Sequence, residues 1–287
     1  MTEMGGKVVV VTGGNSGIGK ETAVELARMG AHVVIAARNP AKATAAVAEV
    51  RERVGPPADV EKMPIDLASF DSVRAFADAY TKAHDRCDVL VNNAGLMLAH
   101  RTTTVDGHES TFQINHLGPF LLTNLMHDTL KTSAPARVVN VASDAHKMVK
   151  GLVLDDLEWT RRRYRGFGAY GATKLMNILF TRELARRWDG ESITANAVHP
   201  GFVGSNFGRE GDYGFLGRIG MPLARPFAIS SARGALTSVY LASSPDVDGI
   251  TGQYFYKGQV AGPKATALDD ETAARLWDIS AQMTGLS

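Results

Sequence analysis

Short β-branched runs recur through the chain, and each is followed by a longer stretch of helical periodicity. Residues 7–12 (KVVVVT) form an unbroken apolar run, and 17–29 place apolar residues at helical spacing up to Gly30. The pattern repeats with a strand at 32–37 (HVVIAA) and an Ala-rich helix at 40–54 that starts on a proline and stops at Gly55. A weaker strand at 60–65 precedes a helix at 69–84. Then come a strand at 88–91, one long helix at 106–131, strands at 137–142 and 192–199, and a helix between them at 170–188. Fully apolar strands separated by helices specify an α/β fold, a doubly wound parallel sheet with helices on both faces. No linker or internal repeat interrupts 1–287, which reads as one domain. Two stretches break the rhythm, at about 144–168 and 201–226. Both follow the C-terminal ends of strands, the edge where such sheets bind ligands, so both are expected to be substrate loops.

Composition narrows the partners. Lys and Arg total 31 against 30 Asp and Glu, giving a net charge of +1 with no block of either sign. That argues against a nucleic-acid or membrane surface as partner and leaves small molecules. No apolar stretch approaches the ~20 residues of a membrane span, so no anchor is expected. The only cysteine, Cys87, excludes an internal disulfide. A cytoplasmic protein is the expectation.

Between the first strand and first helix lies Thr12-Gly13-Gly14-Asn15-Ser16-Gly17-Ile18-Gly19. Glycines there allow a tight turn and let backbone N–H groups approach a pyrophosphate at the positive end of a helix. The second strand ends in Ala36-Ala37-Arg38-Asn39, with no acid to hold a ribose 2′-hydroxyl. Arg38 suits a 2′-phosphate through its bidentate fork, which favours NADP(H) over NAD(H).

Tyr170 and Lys174 stand at i and i+4, on one face of a helix. A lysine ammonium lowers the pKa of a nearby phenol from about 10, making the pair a general acid/base for carbonyl–alcohol interconversion. Ser143 ends a strand on the ligand edge, where its hydroxyl would hold a substrate oxygen or cap a turn. Asn115 is a poor mid-helix residue because its amide competes for backbone groups. A bound water relayed towards Lys174 is the expected compensation.

Taken in order, Thr12-Gly13-x-x-x-Gly17-x-Gly19, Asp66-Leu67, Asn92-Asn93-Ala94-Gly95, Asn115, Ser143, Tyr170-x-x-x-Lys174 and Pro200-Gly201-Phe202-Val203 resemble the short-chain dehydrogenase/reductase family. Residues 175–184 (LMNILFTREL), Gly252-Gln253-Tyr254-Phe255 and Ala274-Arg275-Leu276-Trp277 are most similar to its retinol-dehydrogenase-like branch. The resemblance implies a Rossmann-like sheet of about seven strands. It also implies a role for each matched residue. Gly13, Ser16, Gly17, Ile18 and Gly19 would hold the pyrophosphate, Asp66 and Leu67 the adenine, and Asn93 the adenosine ribose. Tyr170 would be the acid/base, Lys174 would also bond the nicotinamide ribose, Ser143 would orient the substrate oxygen and Asn115 a water. Pro200, Val203 and Ser205 would face the nicotinamide. Two departures stand out: a long interval between Ser143 and Tyr170, and Ser205 where threonine is common. Family members pair through their two long helices, so a homodimer or homotetramer is implied.

The expected activity is therefore hydride transfer between NADP(H) and a primary or secondary alcohol or its aldehyde or ketone. Phe202, Phe207, Tyr213 and Phe215 suggest a bulky apolar substrate. The alternative is a catalytically silent NADP-binding regulator or scaffold; such proteins lose the tyrosine, lysine or serine, and all stand here. Pigment reduction on the same scaffold needs a cysteine-bearing site, which Cys87 does not supply from the far edge. His116, His146 and His199 show no metal-ligand spacing, so no metal is expected. His146 is a candidate substrate contact near Ser143, and Arg161-Arg162-Arg163 reads as a solvated loop.

Overall fold

The computed structural model describes residues 4–56, 58–203 and 228–286. Its centre is one sheet of eight strands: β1 (Val8–Thr12), β2 (His32–Ala37), β3 (Val60–Pro64), β4 (Val89–Asn92), β5 (Ala136–Val141), β6 (Ile193–His199), β7 (Tyr254–Tyr256) and β8 (Gln259–Val260). Their spatial order is β3-β2-β1-β4-β5-β6-β7-β8. The strands through β7 pair in parallel, and the two-residue β8 adds an antiparallel edge beyond the seven expected. The order reverses between β1 and β4, which opens a crevice at their C-terminal ends.

Three helices cover one face: α1 (Gly17–Arg28), α2 (Pro40–Val54) and, later in the chain, Ser231–Ser243. Their Val24, Leu26, Val47 and Leu241 pack on Val9, Val11, Val33 and Ile35 of the sheet. The other face carries α3 (Phe70–Ala83), a composite helix α4 (residues 110–125), a short α5 (His127–Thr132), and α6 (Gly166–Arg187). Helix α7 is the Ser231–Ser243 segment already placed, and α8 (Asp270–Thr284) follows it. Successive strand residues point to opposite faces, so apolar runs such as VVVV fill both layers at once.

The long helix expected at 106–131 is broken. It begins at Ser110–Phe112, widens into a π-helical turn at Gln113–Leu117 and resumes at Gly118–Leu125, together α4. It ends at Met126, and α5 follows. The carboxylate of Glu109, wholly buried, caps the start by accepting from Thr111 and Phe112 N–H at 2.8 and 2.7 Å. Among the described residues, no helix is long and apolar enough to cross a membrane.

The segment 144–168, expected to be a loop, is largely folded. A 3₁₀ turn spans Asp144–Met148, another Leu154–Asp156, and its last residues already belong to α6. Arg162 is less solvated than expected. It stacks on Trp159 at 3.7 Å, its Nε 3.3 Å from Asp156, while Arg161 and Arg163 stay exposed. A guanidinium plane gains from lying on an indole face, which a linear charge count cannot register. Most of the other expected loop, with Ser205, lies outside the described residues.

Candidate active site

The glycine-rich loop joins β1 to α1 at the crevice. Gly13 and Gly17 adopt φ of +65° and +55°, the left-handed region that side chains rarely enter. Gly19 sits in the first turn of α1, where a Cβ would lie 2.6 Å from the Gly13 carbonyl oxygen and against Asn93 Nδ2. Ser16 begins α1 without a side-chain cap, whereas Asn39, Ser69, Ser230 and Asp269 each cap their helices. The first N–H groups of α1 are thus left to an anion, which is what a pyrophosphate needs. Gly19→Ala should therefore displace the Gly13 backbone as well as the hydrogen-bonded Asn93 side chain. About 1–3 kcal/mol of stability should go, and cofactor affinity with it. Thermal unfolding and a cofactor titration check this; wild-type values for both would show that the loop absorbs the methyl.

A hub that the sequence reading missed holds this loop to the next strand. Thr12 Oγ1 donates to the Val91 carbonyl (3.3 Å) and accepts from the N–H of Asn93 (3.0 Å) and Ala94 (3.1 Å). Asn93 Nδ2 donates to the Thr12 carbonyl at 2.8 Å, so Asn93 stands beside the loop. A buried hydroxyl at the end of an apolar strand was the available signal.

Arg38 follows β2 directly and is exposed; among the described residues it makes no hydrogen bond or ion pair. Asp66 and Leu67 form the turn after β3. Asp66 Oδ1 accepts from Ala68 N–H at 3.0 Å, and Leu67 is buried with its carbonyl against Gly118. Ile18 and Val203 meet over Gly234 of α7, where a Cβ would lie 3.2 Å from one and 2.7 Å from the other. Pro200 continues β6 at the same edge.

Tyr170 and Lys174 project from α6 as the i,i+4 spacing requires. Lys174 is buried, with Nζ donating to the Val141 carbonyl at 2.8 Å and lying 5.5 Å from the Tyr170 ring centre. Burial pushes its ammonium down to about 8, still mostly charged at neutral pH. Gly95 marks the convergence: a Cβ there would meet Asn115 Oδ1 at 3.3 Å and Lys174 Nζ at 3.5 Å.

Asn115 has its side-chain amide satisfied by protein groups. Oδ1 accepts from Leu96 N–H (2.8 Å), and Nδ2 donates to the Leu96 carbonyl (2.8 Å) and Thr173 Oγ1 (3.1 Å). The residue lies in the π-helical turn, a feature common at functional sites because it alters which backbone groups bond along the helix. Thr173, unsuspected from sequence, thus ties Asn115 to the helix bearing Tyr170 and Lys174.

Ser143 is half-buried two residues past β5, and its Oγ accepts from Ala145 N–H at 3.2 Å, the turn-capping role. The turn it begins lies against α6, for a Cβ on Gly171 would fall 2.7 Å from the Ala145 carbonyl. Ser143 and Tyr170 are thereby brought to the same edge. His146, the candidate substrate contact, is instead structural: wholly buried, with Nδ1 2.7 Å from the Ser143 carbonyl and Nε2 accepting from Lys264 N–H at 3.0 Å. His199 is structural as well, bonded to Asp144 N–H and stacked on Tyr256. His116 is pushed down to about 3 by burial and bonds Ser280.

The comparisons agree with this geometry. The short chain dehydrogenase family matches residues 7–154. Retinol dehydrogenase 14 of Mus musculus is 43% identical over 99% of this chain and 87% of its own length. Retinol dehydrogenase 13 of Homo sapiens is 43% identical over 98% and 85%. The crystal structure of an uncharacterized protein from Mycobacterium paratuberculosis superposes with a TM-score of 0.78 at 37% identity, covering 98% of this chain and 94% of that one. The Pseudomonas aeruginosa RhlG/NADP active-site complex gives 0.70 at 26%, covering 88% and 96%. A doubly wound sheet, a glycine-rich crevice and a Tyr/Lys pair at its edge, matched along nearly the whole length, make this chain a member of the short chain dehydrogenase family, in its retinol-dehydrogenase-like branch.

Proposed function

We propose that this protein is an NADP-dependent oxidoreductase that interconverts a primary or secondary alcohol and its aldehyde or ketone, with a bulky apolar substrate. Lys174 carries the reading. A wholly enclosed ammonium costs desolvation free energy, and here it lies beside the Tyr170 ring at the edge reached by the glycine loop. Bound NADP(H) would supply or accept the hydride. Tyr170 holds the exchangeable proton at its Oη and passes it to or from the substrate oxygen. Lys174 keeps a positive charge near that oxygen, favouring the phenolate. Ser143 Oγ donates to the substrate oxygen and orients it. Asn115, fixed by Leu96 and Thr173, keeps α4 in register against α6. Met148, Phe167 and Phe202 expose apolar surface around this edge, which supports a lipophilic substrate. A panel of alcohols and carbonyls followed by nicotinamide absorbance tests the activity; no turnover of any apolar member would overturn the reading.

The cofactor choice rests on Arg38. Arg38→Asp removes a fork donor and sets a carboxylate in its place, so NADPH should lose about 2–3 kcal/mol, roughly thirty- to a hundred-and-fiftyfold in affinity. NADH should gain, because the carboxylate accepts from a free 2′-hydroxyl. Titration of both cofactors at low salt measures this. Wild-type preference for NADH, or unchanged NADPH affinity in the variant, would leave Arg38 a surface arginine.

A further inference from the structure

At the opposite edge of the sheet from the glycine loop, three elements bring two histidines and a glutamate together. His32 begins β2, Glu61 is the second residue of β3, and His84 caps the C-terminus of α3. The register places Glu61 opposite Val34, so Glu61 and His32 lie on one face of the sheet. That is the face on which α3 packs, since Val34 shares a core with Tyr80. Glu61 Oε1 is 3.0 Å from His32 Nε2 and 2.8 Å from His84 Nε2, and the three ligand atoms lie within 4.8 Å of one another.

Two further observations separate this cluster from a plain ion pair. His84 Nε2 is buried and has no hydrogen-bond partner despite its closeness to Glu61, so the nitrogen is not aimed at the carboxylate. Asp59 Oδ1 lies 2.8 Å from His32 Nδ1 as an ion-pair contact, while the ring hydrogen-bonds Glu61 through Nε2 at 3.0 Å, so a metal ion would move the ring proton to the Asp59 side. A carboxylate on the second ring nitrogen is the usual outer partner of a metal-ligating histidine, because it fixes the tautomer and leaves the other nitrogen's lone pair free. Bonds of 2.0–2.1 Å at tetrahedral angles set ligand atoms about 3.4 Å apart, which small side-chain movements reach from here.

We propose that His32, Glu61 and His84 bind one divalent transition-metal ion such as Zn²⁺, with Asp59 holding His32. Two imidazoles with one carboxylate favour such an ion over Mg²⁺ or Ca²⁺, which prefer oxygen ligands. Glu61 and Asp59 are part-exposed, so the ion enters from solvent and water completes its shell. The site clamps β2, β3 and the end of α3, far from the Tyr170 edge, and its effect is on stability.

The test uses the tag-free full chain after chelation. Calorimetric titration with Zn²⁺ should give one equivalent per chain, and Co²⁺ should develop the visible bands of a tetrahedral site. At a hundredfold excess over Kd, the melting temperature should rise by about 4 °C. Glu61→Gln and His84→Gln should abolish saturable binding, and Asp59→Asn should weaken it about 10–100-fold. His127→Gln, altering a histidine paired with Glu191 elsewhere, should leave it intact. Circular dichroism and NADPH binding report whether the variants fold; if one does not, the wild-type Co²⁺ spectrum decides. Absence of saturable binding by wild type, or unchanged binding in the folded Glu61→Gln and His84→Gln proteins, reduces the cluster to ion pairs and overturns the proposal.

Discussion

Tyr170→Phe loses turnover by a factor on the order of 10²–10⁴ or more while cofactor affinity stays within a few-fold of wild type. The phenylalanine ring fills the same space on α6, so Lys174 and the turn at Ala145 keep their packing. What disappears is the phenol oxygen that the proposed mechanism uses to exchange a proton with the substrate. The paired measurement is NADPH affinity by fluorescence and single-turnover reduction of the best carbonyl. A variant that reduces at the wild-type rate would remove Tyr170 from the proton transfer, and the carbonyl chemistry would need another acid.

Lys174→Met fails differently, and its stability should move the other way. The substitution removes the charge that favours the phenolate and, by the family resemblance, a contact to the nicotinamide ribose. Turnover and cofactor affinity should fall together, and the residual activity should shift to higher pH. Stability follows from the depressed pKa of Lys174, about 8 against an ordinary 10.5. Between those values the unfolded chain binds a proton that the folded chain does not, so stability rises with pH across that window. Below pH 8 the buried charge costs about 3 kcal/mol, which an uncharged methionine of similar length does not incur. Loss of the bond to the Val141 carbonyl offsets part of this, although Asn177 still donates there at 3.2 Å. At pH 7 the ligand-free variant should thus melt above wild type, with the gap closing towards pH 10. A lower melting temperature at pH 7 would mean that the ammonium is better solvated than its burial implies. Unchanged cofactor affinity together with an unchanged pH profile would sink both roles of Lys174.

The differences between the sequence reading and the structure have physical causes. Residues 106–131 have one helical pattern, yet α4 widens into a π turn where Asn115 bonds Leu96 and Thr173. Hydrophobic periodicity reports which face is buried, and it does not register one extra residue in a turn. Helix α6 starts at Gly166, ahead of the expected Tyr170, and Leu98 and Trp159 lie close enough to exclude a Cβ at Gly166 and Gly168. Close approach of the Leu98 carbonyl and the Trp159 indole requires glycine at these two positions even inside a helix. Similarly, Arg162 is held by Trp159 and Asp156, whose positions follow from the folded loop.

From sequence alone came the alternating parallel sheet, its ligand edge, the glycine loop and the shared face of Tyr170 and Lys174. These depend on periodicity, turn chemistry and short spacings, which any chain carries in its linear order. Tertiary structure decided which long-range groups meet. It enclosed Lys174 against Val141, gave Thr12 its place between two strands and turned His146 into a backbone tie. It also set His32, Glu61 and His84 around one point, although they stand on separate elements and form no linear motif. Burial and through-space distance determine the charge and partners of such groups, and both arise only when strands and helices pack.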